Sequence, residues 1–269
     1  MNNLVLKKSS YLVPYWSKQH GAYITLIVSW LIAVLLSQDF SWMQPVILIF
    51  LLSSLNLTEL LIESMIRKSP MTGRKKVWML IYSLTSVSLA GLLAYYLKSL
   101  IYVLPVLSVF AIVFIFLAIR KQQKSILAEW ITFAMFAIAS LLAFNPEQGI
   151  VATKFLVLGL LMSAYFGQSI FLVKSRLKRL PNYMALIYSF AVIIILFSLF
   201  GIDAFTLMLS FLLIAKSLQI LIWNDWYNKL KIKFVGMLEM GYHLLFLILL
   251  LVFSGSVLEY KIFFDACFT

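Results

Sequence analysis

Residues Leu100–Ile119 read LIYVLPVLSVFAIVFIFLAI, without a single charge, and are followed at once by Arg120, Lys121 and Lys124. At 1.5 Å per residue, twenty such residues in a helix cover about 30 Å, the hydrocarbon thickness of a bilayer. Only a helix or a closed barrel satisfies every peptide group in lipid, and a continuous apolar run with no alternation selects the helix. The pairing of an apolar run with a basic gap then recurs along the chain.

Working outward, similar runs are expected from about Ala22 to Leu36, Phe40 to Leu61, Val77 to Leu97, Ile126 to Phe144, Phe155 to Val173, Tyr183 to Phe200, Phe205 to Trp223 and Phe234 to Val257. The fold expected is therefore all-α: a polytopic integral membrane bundle of nine transmembrane helices, in one domain covering residues 1–269. Composition agrees, with 63% hydrophobic and 12% charged residues, against about 25% charged in an ordinary soluble domain. A water-soluble fold is excluded.

The net charge of +12 would suit a nucleic-acid binder only if it were gathered on one face. Instead it is dealt out between the runs, so no nucleic-acid partner is expected. Lys7, Lys8 and Lys18 precede the first run. Arg67, Lys68, Arg74, Lys75 and Lys76 follow the second, Arg120, Lys121 and Lys124 the fourth, Lys174, Arg176, Lys178 and Arg179 the sixth, and Lys229, Lys231 and Lys233 the eighth. The alternate gaps hold only Lys98, Lys154 and Lys261, together with acids such as Asp39, Glu147 and Asp203. By the positive-inside rule the N-terminus is cytoplasmic and the C-terminus outside, with the chain expected in the cell membrane. Tyr15, Trp16, Trp78, Trp223, Trp226 and Tyr227 stand at cytoplasmic ends, where amphipathic rings settle among headgroups. The basic start resembles a secretory signal, but the first run is expected to be a retained helix because no small-residue cleavage site follows it.

Ionisable residues inside runs are costly and mark interiors or watery paths. Here they fall in the cytoplasmic half: Asn56, Glu59 and Glu63 in the second run, Glu129 in the fifth, Gln168 in the sixth, Lys216 in the eighth, and Glu239 with His243 in the ninth. The expectation is one polar cavity open to the cytoplasm. Asn56, Glu59 and Glu63 share a helix face that Arg67 continues. Two carboxylates a turn apart can ligate Mg²⁺, or Glu63 can simply pair with Arg67. The basic residues Arg74, Lys174 and Arg176 could hold a phosphate, or anchor the chain to anionic headgroups. Lys216 must either snorkel to the surface or meet an acid or an anionic ligand. Glu239 beside His243 suits a proton relay or a packed polar contact. His20 stands at the lip of the first run. The lone Cys267 excludes a disulfide framework, and no soluble-type hydrolase, nucleotide or zinc motif is present.

The run Lys18-Gln19-His20-Gly21-Ala22, with Phe171 to Arg176 and Val235 to Glu239, resembles the YwiC-like family of bacterial membrane proteins. That resemblance implies a multi-pass membrane protein and no particular reaction. More distantly, the architecture is similar to the UbiA-type intramembrane prenyltransferases, which have nine spans and two acidic motifs that hold an isoprenoid diphosphate through Mg²⁺. Asn56, Glu59, Glu63, Arg67 and Arg74 stand in the place of the first motif. At the second, Gln168, Lys174 and Arg176 stand where acids would be.

Two functional readings follow, and they leave open whether any reaction is catalysed. One is a protein that binds an isoprenoid or other anionic lipid diphosphate in the cytoplasmic cavity, with Glu59 and Glu63 on a metal and Lys216 or Arg176 on phosphate. The other is a transporter in which Lys216, Glu239 and His243 respond to substrate or protons, with a non-catalytic scaffold as the remaining class.

Overall fold

A computed structural model describes residues 13–17, 20–37, 40–66, 70–97, 100–144, 146, 152–230 and 232–254. Among these it contains ten α-helices: α1 His20–Leu36, α2 Met43–Leu61, α3 Gly73–Tyr96, α4 Leu100–Ile119, α5 Ile126–Ser140, α6 Ala152–Arg176, α7 Tyr183–Phe200, α8 Ala204–Ile222, α9 Asn224–Lys229 and α10 Ile232–Val252. Seven of them are long and apolar enough to cross a membrane, and α1 and α4 supply two shorter apolar helices. The expected nine runs therefore correspond to nine apolar helices. The tenth, α9, is a six-residue helix in a gap that the sequence reading left unstructured. Residues 255–257 of the last expected run lie outside the described residues.

Helix starts follow local chemistry. Thr72 accepts from the Lys75 amide, Ser125 from that of Ala128, and Asp203 with Thr206 forms a reciprocal capping box at α8. Thr72 moves the start of α3 to Gly73, ahead of the expected Val77, because lysines join a capped helix as readily as apolar residues do. Gly201 ends α7 with φ 75°, a left-handed conformation that a side chain would disfavour.

Two irregular turns were not legible in the sequence. Beyond Leu61, helix α2 widens into a π-turn over Ile62–Ile66, and α5 tightens into a 3₁₀ turn at Leu141–Ala143. The main core lies between α1, α2, α5, α6, α8 and α10, built on Leu26, Ile32, Ile47, Leu158, Phe166 and Phe246. Gln44 ties three of these elements together: its carbonyl accepts from Trp30 Nε1 at 2.8 Å, and its side-chain amide donates to Ala143 O at 3.2 Å. By contrast α3 packs on α2 and buries only Tyr82, Ser86 and Leu93. Trp78 and Met79 pack against Tyr82 and Leu60, while Leu80, Leu84, Val87 and Tyr95 face outward, as a lipid-facing helix requires.

Direct contacts gather the basic gaps at one end. The Arg74 guanidinium donates to the carbonyls of Val13 and Pro14, Lys174 Nζ to Lys124 O at 2.7 Å, and Arg176 Nη2 to Leu230 O. Basic side chains thus stitch the segment before α1 to the start of α3, the α4–α5 turn to the end of α6, and the end of α6 to the end of α9.

Candidate functional site

Helices α6 and α8 meet in register, so that adjacent residues on each serve adjacent polar networks. Gln168 Nε2 lies 2.7 Å from Ser189 Oγ on α7, 2.7 Å from Leu213 O and 2.9 Å from Ser217 Oγ on α8. Beside Gln168 on α6 and Ser217 on α8, Ser169 and Lys216 form the second network: Lys216 Nζ donates to Ser169 Oγ at 2.8 Å and pairs with Glu239 Oε2 of α10 at 2.8 Å. Ser169 Oγ donates in turn to Glu239 Oε2 at 2.7 Å. Three helices thus close a triangle of short polar contacts, and all three side chains are buried.

Aromatic rings wall this triangle. The Lys216 ammonium stands 5.2 Å from the Tyr165 ring and 5.9 Å from that of Tyr242, within the range of cation–π attraction. Tyr165 donates to Tyr242 O at 2.7 Å, and Tyr242 to Gln219 Oε1 at 2.7 Å. His243, one turn from Glu239, sits edge-on to Tyr165 and Phe166 with its Nδ1 buried and unpartnered. Of the sequence alternatives for Lys216, the geometry realises the acid.

The remaining candidates make their direct contacts with other partners. Asn56 Oδ1 accepts from the Ser17 amide at 3.0 Å and from the Tyr23 hydroxyl at 2.5 Å, while its Nδ2 donates to Leu52 O at 2.9 Å. Its hydrogen-bonding capacity is engaged in holding the chain ahead of α1. Arg74 grips the same segment, and Tyr82 donates to Tyr15 O at 2.6 Å. Lys174, buried, pairs with Glu129 at 3.1 Å, joining α6 to α5. Arg176 is used on the Leu230 carbonyl. Arg67 lies outside the described residues, as does the side chain of His20, whose backbone opens α1.

The acidic stripe on α2 is altered by the π-turn. Glu59 is buried on the α-helical part, whereas Glu63 lies on the π-helical part and pairs with Lys75 of α3 at 2.6 Å. A π-turn changes the angular step per residue, so spacing by α-helical geometry does not carry through to Glu63 and beyond. Hard divalent cations need several oxygen ligands. A carboxylate held by an ammonium is a poor one, and no group of three or more His, Cys, Asp or Glu side chains is present among the described residues. The donor set therefore does not suit Mg²⁺.

The aromatic anchors divide. Trp16, Trp223 and Trp226 are exposed as anchoring requires, but Tyr15 and Tyr227 are buried, Tyr15 against Leu60 and Tyr82. Burial pushes the Tyr227 phenol, in α9, well above its ordinary pKa.

Sequence reasoning missed Ser169, Ser189, Ser217 and the tyrosines around Lys216. Serines and tyrosines at helical spacing look like ordinary bundle residues, and only the α6–α8 register reveals their role. Sequence signals for Ser169 and Ser217 did exist: each directly neighbours a polar residue already singled out, Gln168 and Lys216.

These apolar helices, with charges paired inside them, define a multi-pass α-helical membrane protein. Residues 16–144 match the model of the YwiC-like protein family, so over that part the chain is similar to YwiC-like proteins. The match includes the Lys18 to Ala22 run and Asn56 to Arg74, and ends before the Lys216–Glu239 centre. Comparison with curated proteins and with solved structures returned no match.

Proposed function

We propose that the chain is a carrier of the cell membrane, one transmembrane unit with its N-terminus in the cytoplasm, in which the Lys216–Glu239 pair lies on the path of a small polar or ionic solute. A single observation carries this reading: a buried, hydrogen-bonded ion pair whose members and serine bridge come from three different helices. Charges within a bilayer are retained where they mark ion or substrate paths. Such a pair is held only while both partners stay desolvated together, and a solute or proton that competes for one of them releases the other. Opening it would free α6, α8 and α10 to shift relative to each other, the kind of bistable contact on which alternating access depends. The adjacent Gln168–Ser189–Ser217 network extends the polar seam to α7.

The isoprenoid diphosphate reading, with Mg²⁺ and prenyl transfer, loses support from the same side chains, since Glu63, Lys174, Arg176 and Lys216 are all engaged within the protein.

The test uses proteoliposomes containing a trapped pH dye and an imposed membrane potential, exposed in turn to amino acids, inorganic phosphate and monovalent cations. A solute-dependent flux that is lost in Glu239→Gln and in Lys216→Met supports the carrier. Flux no greater than in empty liposomes, or equal in the variants, overturns it.

A further inference from the structure

We propose that the turn between α6 and α7, together with α9, forms a binding site for the phosphoryl group of an anionic membrane lipid. A depression of about 470 Å³ opens there, lined by Ser175, Lys178, Arg179, Asn182, Asn224 and Asn228. Its polar lining consists of two cations and three amides, with no carboxylate, and the Ser175 hydroxyl donates to Pro181 O at 3.3 Å. Phosphate is recognised by this combination: lysine and arginine supply charge, and neutral donors fix the oxygens.

The site is built by the fold. Arg179 N donates to Lys174 O and Lys178 N to Ser175 O, both at 2.9 Å, which closes the turn directly on the end of α6. Lys178 adopts φ 54°, a left-handed conformation that glycine or asparagine would take more readily. Arg176 fastens the end of α6 to Leu230 O, bringing the turn against α9. Asn182 precedes α7 without capping it through its side chain, and Asn228 Nδ2 donates to Asn224 Oδ1 at 2.7 Å, which leaves the other Asn228 amide hydrogen and the Asn224 amide group for a ligand.

The surroundings favour a lipid-borne group over a free one. Leu177, Tyr183, Ile222, Trp223 and Trp226, all sequence neighbours of the lining residues, are exposed. Tryptophan and tyrosine beside apolar residues settle at headgroup depth, where a phosphodiester is the abundant anion.

The full chain in phosphatidylcholine nanodiscs would be titrated with phosphatidylglycerol, and bound lipid counted by native mass spectrometry. Lys178→Gln/Arg179→Gln should weaken retention at least about tenfold, given the worth of each basic residue near a membrane surface. Arg120→Gln/Lys121→Gln, which removes the same charge from another turn, should leave it unchanged, and Lys178→Arg/Arg179→Lys should restore it. Equal loss in the two glutamine doubles would mean general attraction and overturn the site, as would equal retention of phosphatidylcholine. Inorganic phosphate is the competing probe: retention in its presence supports the lipid-borne group, whereas displacement at millimolar concentration assigns the same residues to free phosphate and overturns the lipid assignment.

Discussion

Lys216 Nζ and Glu239 Oε2 are 2.8 Å apart in the middle of the helix bundle, with side chains 1% and 10% exposed. Removing one partner strands the other charge without water, which typically costs about 3–5 kcal/mol, whereas removing both with apolar residues of similar size costs far less. Lys216→Met and Glu239→Gln should each destabilise the protein strongly. The double variant Lys216→Met/Glu239→Leu should be more stable than either. Reversible unfolding in mixed micelles, arranged as a double-mutant cycle, measures this. Additive losses would show that the pair has no coupling.

Gly167 marks a close approach between α6 and its neighbours. A Cβ built there would stand 2.6 Å from Trp130 Cδ1 and collide with the Tyr188 hydroxyl, while Trp130 Nε1 donates to that hydroxyl at 3.2 Å and Tyr188 to Ala164 O at 2.8 Å. Gly167→Ala must displace two rings and their hydrogen bonds, at about 1–3 kcal/mol. Gly159→Ala meets only ordinary contacts at 3.4 and 3.6 Å, and should be neutral or slightly stabilising through helix propensity. Thermal unfolding followed by tryptophan emission separates the two. Equal stability of both variants would refute the close approach.

The nine apolar helices were legible because bilayer thickness imposes a length and lipid forbids unpaired peptide groups; α4 and α7 were bounded to the residue. What was hidden depends on rotation and register. Depth along a helix can be counted from its ends. Azimuth cannot be counted that way once a π-turn intervenes, and Glu63 accordingly meets Lys75. Lys216 and Glu239 come from different apolar helices, α8 and α10, and no spacing rule links them. The α9 depression was illegible for a similar reason: its lining is drawn from two gaps separated by two helices.

The segment ahead of α1 is held by side chains acting on its backbone. Arg74 donates to Val13 O at 2.9 Å and to Pro14 O at 2.5 Å, and Tyr82 to Tyr15 O at 2.6 Å. A lysine has no forked donor for two successive carbonyls. Arg74→Lys should therefore raise amide exchange at Tyr15, Trp16 and Ser17 by about tenfold, equivalent to one good charge-assisted bond. The middle of α8 should be unaffected. Hydrogen exchange read by mass spectrometry resolves the two regions, and unchanged protection at Tyr15–Ser17 would show that the grip contributes nothing.

Orientation is the last expectation, and the contacts sharpen what it requires. Arg74 on Val13 and Pro14 fastens the segment before α1 to the start of α3, while Lys174 on Lys124 and Arg176 on Leu230 fasten the α4–α5 turn, the end of α6 and the end of α9, so the connections within each set must move as one if the protein is inverted. Lysine and arginine in short loops are retained in the cytoplasm, and a set fastened in this way has no mixed arrangement available. A reporter that matures only in the cytoplasm should therefore be fluorescent when inserted at Lys121 and dark when fused after Thr269; alkaline phosphatase should give the opposite result. A fluorescent C-terminal fusion would invert the assignment and move the α9 depression to the outer face. Fluorescence at both sites would require an even number of crossings between Lys121 and the C-terminus, against the five apolar helices α5, α6, α7, α8 and α10 that the fold places there.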